Sequence, residues 1–230
     1  MFLQSQGILN TTESEAIEHP AMPSPTILQI DGLCFHYPQR ELFTQLSARI
    51  PPGVTLVRGG DGSGKTTLLR LLAGELPASA GQIRVNNVAL GVLPDAWRQR
   101  VFWTDPRSSA FDQLTPVEYF LSLHRLYPGF DDQLLGHLTE GLSLAPHLDK
   151  PLYMLSTGSK RKVWLAAAFA SGAGVTLLDD PFAALDKASI SFVLALLKDA
   201  ADHPARAWVV AHYEAPSDVP LAAIIDLEDR

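Results

Sequence analysis

Two short stretches of the sequence carry the residues most able to do chemistry. The first is "GGDGSGKTT", residues 59–67, which has the spacing G-x-x-x-x-G-K-[ST] and lies between an apolar run and a helical pattern. Glycines allow successive backbone N–H groups to point at one anion, and the N-terminus of the following helix adds partial positive charge. A glycine-rich turn with a chance lysine is a poorer explanation of this framing. The stretch therefore predicts a phosphate-binding loop.

The side chains of this loop suit different tasks. Lys65 is expected to reach the terminal phosphates of a nucleotide and to take part in catalysis there, and the Thr66 hydroxyl is expected to bind Mg²⁺. The residues around them are expected to contact the nucleotide: Gly59, Gly60, Asp61, Gly62, Ser63, Gly64 and Thr67. The loop thus predicts a nucleotide and Mg²⁺ as ligands.

The second stretch, "VTLLDDPFAALD" at residues 175–186, places two carboxylates side by side where an apolar strand ends. Adjacent carboxylates repel each other, and one of a close pair is normally driven toward protonation. A metal ion and a water molecule to be activated would remove that conflict. We therefore expect Asp179 to bind Mg²⁺ and Asp180 to act as the general base for the attacking water. A solvated turn at the end of a strand is the alternative for both residues.

Composition limits the classes of protein to which the chain can belong. Of its 230 residues, 47% are apolar and 19% are charged, which is typical of a globular protein with a substantial core. The formal net charge of −7 argues against a partner with a phosphate backbone, so no nucleic acid is expected. A single cysteine, Cys34, excludes an internal disulfide and favours a reducing cytoplasm. No apolar run approaches the roughly 18 residues of a membrane span, and the first residues do not resemble a signal peptide.

Hydrophobic periodicity predicts an α/β fold with a mainly parallel sheet. Apolar runs that alternate with helical patterns over short connections are typical of a parallel sheet covered by helices. Strand patterns within 27–57 and 82–90 predict an additional antiparallel edge lobe, and helical patterns dominate an insertion at about 106–165. Residues 1–25 are polar, acidic and rich in proline and serine toward their end, which predicts a flexible arm before a single domain at 26–230.

Four local signals predict where particular elements begin and end. Gly32 is expected to interrupt the first strand, and Gly74 is expected to stop the helix that follows the phosphate-binding loop. The Asn-Asn pair at 86–87 is typical of a hairpin turn. Thr115, followed three residues later by Glu118, is typical of the N-terminus of a helix.

Taken in order, the motifs resemble those of the ATP-binding cassette subunits of ABC transporters, and the resemblance covers roughly residues 27–227. Apart from the phosphate-binding loop, each motif alone is weak, and their order makes the resemblance strong. The matching segments are "FHYPQRELF" at 35–43, "LTPVEYF" at 114–120, the signature "LSTGSKRKVWLAAAFA" at 155–170, "DDPFAALD" at 179–186 and the switch "VVAHYE" at 209–214. In the first of them Tyr37 corresponds to the aromatic residue that stacks on adenine; a plain aromatic residue at a strand end is the alternative.

The resemblance implies a P-loop NTPase fold of the RecA-like type and an ATPase that works as a head-to-tail pair of cassettes. Each ATP, with Mg²⁺, would lie between the phosphate-binding loop of one cassette and the signature residues of the other, here Ser156, Thr157 and Gly158. His212 would contact the γ-phosphate, and Asp186 would signal to the second cassette. That cassette would be the same chain or a different one. The pair would energise a separate membrane permease from the inner, cytoplasmic face of the cell membrane.

Three positions depart from the family pattern. Asp180 stands where the family usually has Glu, which shortens the reach of the carboxylate by one methylene. Since a misplacement of about 1 Å can lower a rate by about 10²-fold, we hypothesise a slow but working ATPase. The family's Gln before the helical insertion is absent near Asp105, which is expected either to meet Mg²⁺ or to serve only as a turn residue before Pro106. Thr157 adds a β-branched side chain where the signature has Gly.

Three functions are open on the sequence alone. The leading one is the ATP-binding and ATP-hydrolysing subunit of an ABC transporter, and the short cassette looks like compact exporter cassettes, including the haem-exporter type of cytochrome c maturation systems. The second is a nucleotide-binding partner cassette whose hydrolysis is impaired, motivated by the residues at 105, 157 and 180. The third is a soluble ABC ATPase with a regulatory or assembly role. The coiled coils of chromosomal relatives and the second cassette of translational relatives have no counterpart in this sequence.

Overall fold

The computed structural model describes residues 26–91 and 94–227, so the expected arm at 1–25 lies outside the described residues. The strands are β1 (Leu28–Tyr37), β2 (Arg40–Ile50), β3 (Gly53–Arg58), β4 (Ala80–Val85), β5 (Val88–Ala89), β6 (Val101–Phe102), β7 (Val175–Asp179), β8 (Ala207–His212) and β9 (Ala223–Asp226). The α-helices are α1 (Lys65–Ala73), α2 (Pro94–Arg100), α3 (Pro116–Leu126), α4 (Asp132–Gly141), α5 (Thr157–Ala170) and α6 (Lys187–Ala201). Single 3₁₀ turns lie at Ala145–His147 and Leu152–Met154.

A parallel sheet of five strands, in the order β6-β7-β8-β3-β9, forms the centre of the described structure. Strands β3 and β8 are buried almost throughout, which is why their sequences are apolar without alternation. Side chains along β8 point alternately to two cores: Trp208 and Val210 pack with α5 and α6, whereas Val209 and Ala211 pack with α1 and the second sheet. The prediction of a mainly parallel sheet covered by helices is confirmed.

The C-terminal ends of three strands in this sheet lie side by side. Strand β3 leads into the phosphate-binding loop, while β7 ends at Asp179 and β8 ends at His212. The register pairs Arg58 with His212 and Asp179 with Ala211, so the three ends are level. Ligand sites of open parallel sheets form at this edge. The fold therefore brings together residues that are far apart in the sequence.

The second sheet is antiparallel, in the order β2-β1-β4-β5. The Asn-Asn pair at 86–87 joins β4 to β5 with positive φ at both residues, so the predicted hairpin is confirmed. The prediction that Gly32 interrupts the first strand is wrong: β1 continues to Tyr37, and Gly32, with φ 57, lies at a register shift in the pairing with β2. A glycine in this conformation accommodates a bulge without ending the strand.

Strand β3 does not belong to the antiparallel lobe to which the pattern at 27–57 assigned it. It pairs in parallel with β8 and β9 instead. Its residues Val54, Leu56 and Val57 are fully buried, which suits a central strand covered on both faces. The sequence showed that this segment is a buried strand, but its partners follow only from the tertiary structure.

Two predicted helix ends are confirmed. Helix α1 ends at Gly74, which has φ 79, and α3 begins with a capping box made by Thr115 and Glu118. Helix α2 was not predicted. Its seven residues are too few to show the hydrophobic periodicity of a helix, and the helix is held in place by a tertiary contact. That contact is a hydrogen bond of 3.1 Å from Nε1 of the buried Trp97 to the carbonyl oxygen of Leu72.

The predicted insertion at about 106–165 contains α3, α4, both 3₁₀ turns and the first part of α5. Leucines from this region, Leu138, Leu142 and Leu144, are fully buried and join the core formed with α5 and α6. The limits of the insertion remain a prediction, as does the domain boundary near residue 26. No described helix combines the length and apolar character that crossing a membrane requires.

Candidate active site

A cleft of about 480 Å³ opens at the C-terminal edge of the parallel sheet. The cleft is lined by many of the residues that were predicted to bind nucleotide, to bind metal or to take part in catalysis. They are Tyr37, Asp61, Gly62, Gly64, Lys65, Thr66, Thr67, Asp179, Asp180 and His212. They come from both sheets, from the turn after β7, from the loop before α1 and from the first turn of that helix. The cleft is therefore the place where the predicted groups can act together.

The phosphate-binding loop closes tightly around Lys65. Nζ of Lys65 donates hydrogen bonds to the carbonyl oxygens of Gly59 at 2.6 Å and Gly60 at 2.7 Å. At Gly64, φ is 103 and a Cβ atom would press on side chains of β2, while at Gly59 a Cβ atom would collide with the side chain of Ser63. Only residues without a Cβ atom allow the loop to close this far. The closed loop keeps the lysine ammonium group where phosphate oxygens can replace the two carbonyl oxygens.

A hydrogen bond of 2.8 Å from Thr66 Oγ1 to Asp179 Oδ2 joins the phosphate-binding loop to the end of β7. Burial raises the pKa of the Asp179 carboxyl, whereas the hydrogen bond from Thr66 and the charge of Arg107 oppose that rise. In sites of phosphate chemistry Mg²⁺ takes few protein oxygens and completes its octahedron with phosphate oxygens and water. This hydroxyl and carboxylate fit that donor set. Among the described residues, no three His, Cys, Asp or Glu side chains form a metal-binding group.

Asp180 and His212 face each other at the cleft. Nε2 of His212 lies 3.5 Å from Oδ1 of Asp180, whose side chain is 55% exposed. The imidazole is buried, and its Nδ1 contacts the carbonyl oxygen of Glu214 at 3.0 Å, which directs Nε2 toward the cleft. A solvated carboxylate beside a fixed imidazole can polarise a water molecule while the imidazole contacts an anion.

Arg161, which sequence reasoning did not single out, holds the main chain of the acidic pair. Its Nη1 donates to the carbonyl oxygens of Asp179 at 3.0 Å and Asp180 at 2.5 Å. Asp180 has φ 46, in the left-handed region that a residue other than glycine adopts at an energetic cost. The hydrogen bonds from α5 stabilise this conformation. The run "SKRK" at 159–162 contains three basic residues, and the sequence does not indicate which of them points toward the acidic pair.

Tyr37 lines the cleft with 39% of its surface exposed. Its hydroxyl is 3.3 Å from Thr67 Oγ1, and its ring meets the ring of Phe35 edge to face. An exposed aromatic ring next to a phosphate-binding loop can stack on a nucleotide base. Arg40 and Tyr213 line the same cleft and were not predicted, although each lies in a segment that carries a predicted residue.

Asp105 is not among the residues that line the cleft. Its Oδ1 accepts a hydrogen bond of 2.9 Å from the main-chain N–H of Arg107, which forms a short turn. Pro106 and Arg107 of this turn line the cleft instead. The geometry favours the turn role of Asp105 over the role as a Mg²⁺ ligand, and the latter remains a prediction.

The three predicted residues of the signature segment, Ser156, Thr157 and Gly158, do not line the cleft of their own chain. Ser156 and Thr157 are exposed, and Ser156 Oγ accepts a hydrogen bond of 3.1 Å from the N–H of Ser159 at the start of α5. Gly158 packs against the turn after β7, where a Cβ atom would collide with the carbonyl oxygen of Ala184. The three predicted residues of this segment can therefore meet a nucleotide only on another surface.

Asp186, also outside the cleft lining, joins the start of α6 to the start of α5. Its carboxylate accepts hydrogen bonds from the N–H of Ser189 at 2.8 Å and from Nζ of Lys162 at 2.7 Å. The bond from Lys162 and those from Ser189 hold the pKa of the Asp186 carboxyl well below its usual range. The signature segment and the turn that follows the acidic pair are thus linked within one chain.

The fold and the cleft define a class of protein. A glycine-rich loop between a central parallel strand and a helix, joined through a Thr hydroxyl to an Asp at the end of another strand of the same sheet, is the arrangement of P-loop nucleotide-binding proteins. An antiparallel lobe that brings an aromatic side chain to the same cleft adds to this arrangement.

Comparison with known proteins specifies the family. A family model described as ABC transporter matches residues 43–183. A cytochrome c biogenesis ATP-binding export protein, CcmA, of Pseudomonas savastanoi pv. phaseolicola is 36% identical over 171 residues, which cover 74% of this chain and 80% of that protein. The chain therefore belongs to the ABC transporter family, as one of its ATP-binding subunits, and members of this family hydrolyse ATP.

Solved structures show the same fold. A putative ABC transporter ATP-binding protein from Pyrococcus furiosus has a TM-score of 0.70 and 23% identity, with 87% of this chain and 96% of that chain covered. A dimeric ATP-binding cassette in a post-hydrolysis state, bound to ADP and Pi, has a TM-score of 0.69 and 19% identity, with 82% and 88% covered. The predicted fold class agrees with both.

Proposed function

We propose that this chain hydrolyses ATP to energise export through a separate membrane permease. The observation that carries the proposal is the hydrogen bond of 2.8 Å between Thr66 and Asp179, because it unites the phosphate-binding loop and the acidic pair in one cleft. The export direction rests on relatives named cytochrome c biogenesis ATP-binding export proteins. The transported compound would be recognised by the permease.

Binding of ATP follows from the groups that line the cleft. The base would stack on Tyr37, and the phosphates would lie on the loop at 59–67, with Lys65 moving from the carbonyl oxygens of the loop to the terminal phosphates. Thr66 and Asp179 would hold Mg²⁺. When bound, Mg²⁺ would neutralise phosphate charge.

Hydrolysis is assigned to Asp180, which follows β7, and to His212 at the end of β8. Asp180 accepts a proton from the attacking water as the water oxygen bonds to the γ-phosphorus. The bond from that phosphorus to the oxygen shared with the β-phosphate then breaks, which gives ADP and phosphate. His212, held by the carbonyl oxygen of Glu214, contacts the γ-phosphate and lies close enough to Asp180 to orient its carboxylate.

A second cassette, identical or different, is proposed to complete the site. Ser156, Thr157 and Gly158 are placed away from the cleft of their own chain, at the start of α5. The N-terminus of this helix can bind an anion presented by another cassette. A similar cassette forms a dimer with ADP and Pi bound, which supports this arrangement. Asp186, which contacts Lys162 near the signature residues of its own chain, would signal to the second cassette.

The proposed location is the inner face of the cell membrane, against the permease. The assay that tests the proposal uses the full-length chain, purified from its native host through a tag. We expect Mg²⁺-dependent release of phosphate from ATP, loss of that activity in Lys65→Ala, and copurification of a membrane protein. A chain that hydrolyses ATP but brings down no membrane protein would contradict the transporter proposal in favour of a soluble ATPase.

A partner cassette with impaired hydrolysis is the second candidate function. Asp180, shorter than Glu and held by a main chain at φ 46, is the observation that favours it. This candidate predicts ATP binding without phosphate release from the chain alone, and release only when an active cassette is added. Hydrolysis by the chain alone would rule it out.

A further inference from the structure

Three arginines line the nucleotide cleft, Arg40 from β2 and two others from later parts of the chain. Arg107 belongs to the turn after β6, and Arg161 belongs to the second turn of α5. Both lie beside the acidic pair at the end of β7. Neither was among the residues that the sequence predicted to act in this cleft. Two cations that face one cleft repel each other unless an anion lies between or beside them.

Arg161 is engaged by its own chain. Its Nη1 donates hydrogen bonds to the carbonyl oxygens of Asp179 at 3.0 Å and Asp180 at 2.5 Å, and the residue is half-buried. Burial lowers the pKa of the Arg161 guanidinium, the charges of Asp180 and Asp179 oppose this, and the charge of Arg107 adds to it. The two guanidinium groups therefore lie near enough to destabilise each other.

Arg107 differs from Arg161 in having its guanidinium group exposed. Within residues 26–91 and 94–227, no carboxylate forms an ion pair with it, although its charge reaches Asp179. The nearby carboxylates are engaged elsewhere: Asp179 accepts from Thr66, and Asp180 faces His212. The main chain of Arg107 is fixed by the turn bond to Asp105. The turn therefore holds the main chain of Arg107 in place at the cleft, and its guanidinium group is available to an anionic ligand.

We propose that Arg107 binds the terminal phosphate of ATP from within the same chain. A guanidinium group offers two parallel N–H donors to phosphate oxygens, a geometry that a lysine ammonium group does not offer. The inference deepens the proposed function and rests on ATP being the ligand of this cleft.

The consequence is discrimination between ATP and ADP. Arg107 would contact charge that is present in ATP and absent from ADP, and it would stabilise the charge that develops as the γ-phosphoryl group is transferred. Arg161, held by main-chain oxygens, would keep the acidic pair in place while Arg107 follows the phosphate. Arg107 would therefore be a catalytic residue and Arg161 a positioning residue.

The test is calorimetric titration of the full-length chain with Mg²⁺ and either a non-hydrolysable ATP analogue or ADP. The variants are Arg107→Gln and Arg107→Lys, with Arg125→Gln, an exposed arginine of α3 outside the cleft, as the matched control. We expect Arg107→Gln to weaken binding of the ATP analogue by about tenfold or more and binding of ADP by less than about twofold. Arg107→Lys should fall between, and Arg125→Gln should bind both like the wild type.

Equal weakening of both nucleotides, or none of either, would overturn the inference while leaving the proposed function intact, provided that the wild type binds the ATP analogue. Failure of the wild type to bind either nucleotide would contradict the proposed function and the inference together. A second readout is the phosphate release rate with ATP. Arg107→Gln should lower kcat more than Arg107→Lys does, since charge is retained in Lys.

Discussion

Nη1 of Arg161 lies 2.5 Å from the main-chain oxygen of Asp180. The contact joins the helix of the signature segment to the residue proposed to activate water, inside a single chain. It holds a backbone conformation, with φ 46 at Asp180, that is costly for any residue with a side chain. A movement of α5 would therefore be transmitted to Asp180 through one guanidinium group.

Replacing Arg161 tests this connection. Arg161→Gln should lower kcat for ATP hydrolysis by about tenfold to a hundredfold, because loss of the main-chain hydrogen bonds lets Asp180 leave the reactive position. The KM for ATP should change by less than about twofold, and Arg161→Lys should recover part of the rate. Steady-state kinetics on the purified chain give both constants. A rise in KM with unchanged kcat would show that Arg161 binds nucleotide and does not position Asp180.

The length of the side chain at 180 sets the second prediction. Asp180→Asn should lower the rate of phosphate release by about 10²-fold or more, since an amide cannot accept the proton of the water. Asp180→Glu should keep or raise the rate by extending the carboxylate toward the water. The assay is phosphate release at saturating ATP. An unchanged rate in Asp180→Asn would exclude Asp180 as the base.

The third prediction concerns Gly158, where a Cβ atom would collide with the carbonyl oxygen of Ala184. Gly158→Ala should lower the free energy of unfolding by about 1–3 kcal/mol, because main-chain atoms must move to admit the methyl group. Gly136→Ala is the matched control: it lies in α4, nothing lies within 4 Å of its added Cβ atom, and it should stabilise by about 0.5–1 kcal/mol. Urea unfolding measures both changes. Equal effects of the two substitutions would show that the turn at Ala184 moves at no cost to admit the methyl group.

The fourth prediction is a pH dependence at Asp186. Its hydrogen bonds to Lys162 and Ser189 hold the pKa of the folded carboxyl below the unfolded value of 3.8, so the folded state binds the proton less readily. The contribution to stability is complete above the unfolded pKa and is lost as the pH falls below it. The free energy of unfolding of the wild type should therefore exceed that of Asp186→Asn near neutral pH.

Urea unfolding between about pH 7 and about pH 3 measures this difference. The gap between wild type and Asp186→Asn should shrink as the pH falls below 3.8. Lys162→Gln should narrow the gap at neutral pH, because it removes the hydrogen bond that lowers the pKa most. A gap that stays constant with pH would contradict the prediction, because it would mean that these hydrogen bonds do not favour the ionised form of Asp186.

Much of the fold could be predicted because its signals are local. The loop at 59–67, the stop at Gly74, the hairpin at 86–87 and the capping box at Thr115 each depend on residues close in sequence. The predictions that were wrong are those in which one local sequence pattern is compatible with two structures. Gly32 accommodates a bulge instead of ending its strand, and β3 pairs across the parallel sheet.

The cleft could be predicted in part. Lys65, Thr66, Asp179 and His212 belong to motifs with a known order, so their meeting at one edge of the sheet was expected. Arg107 and Arg161 could not be expected, because nothing in a run of polar residues tells which side chain turns toward a cleft. Asp105 shows the reverse: its type suited a metal ion, but the turn directs it to the main-chain N–H of Arg107.

The family, the phosphate-binding loop and the acidic pair follow from the sequence alone, because each depends on particular residue types at fixed spacing. The way in which Asp180, the second residue of "DD", is held follows only from tertiary contacts. Its main chain is fixed by Arg161 of α5 and its side chain faces His212 of β8. These contacts join segments that lie 19 and 32 residues away in the chain, and only packing of the helix and the sheet brings them together.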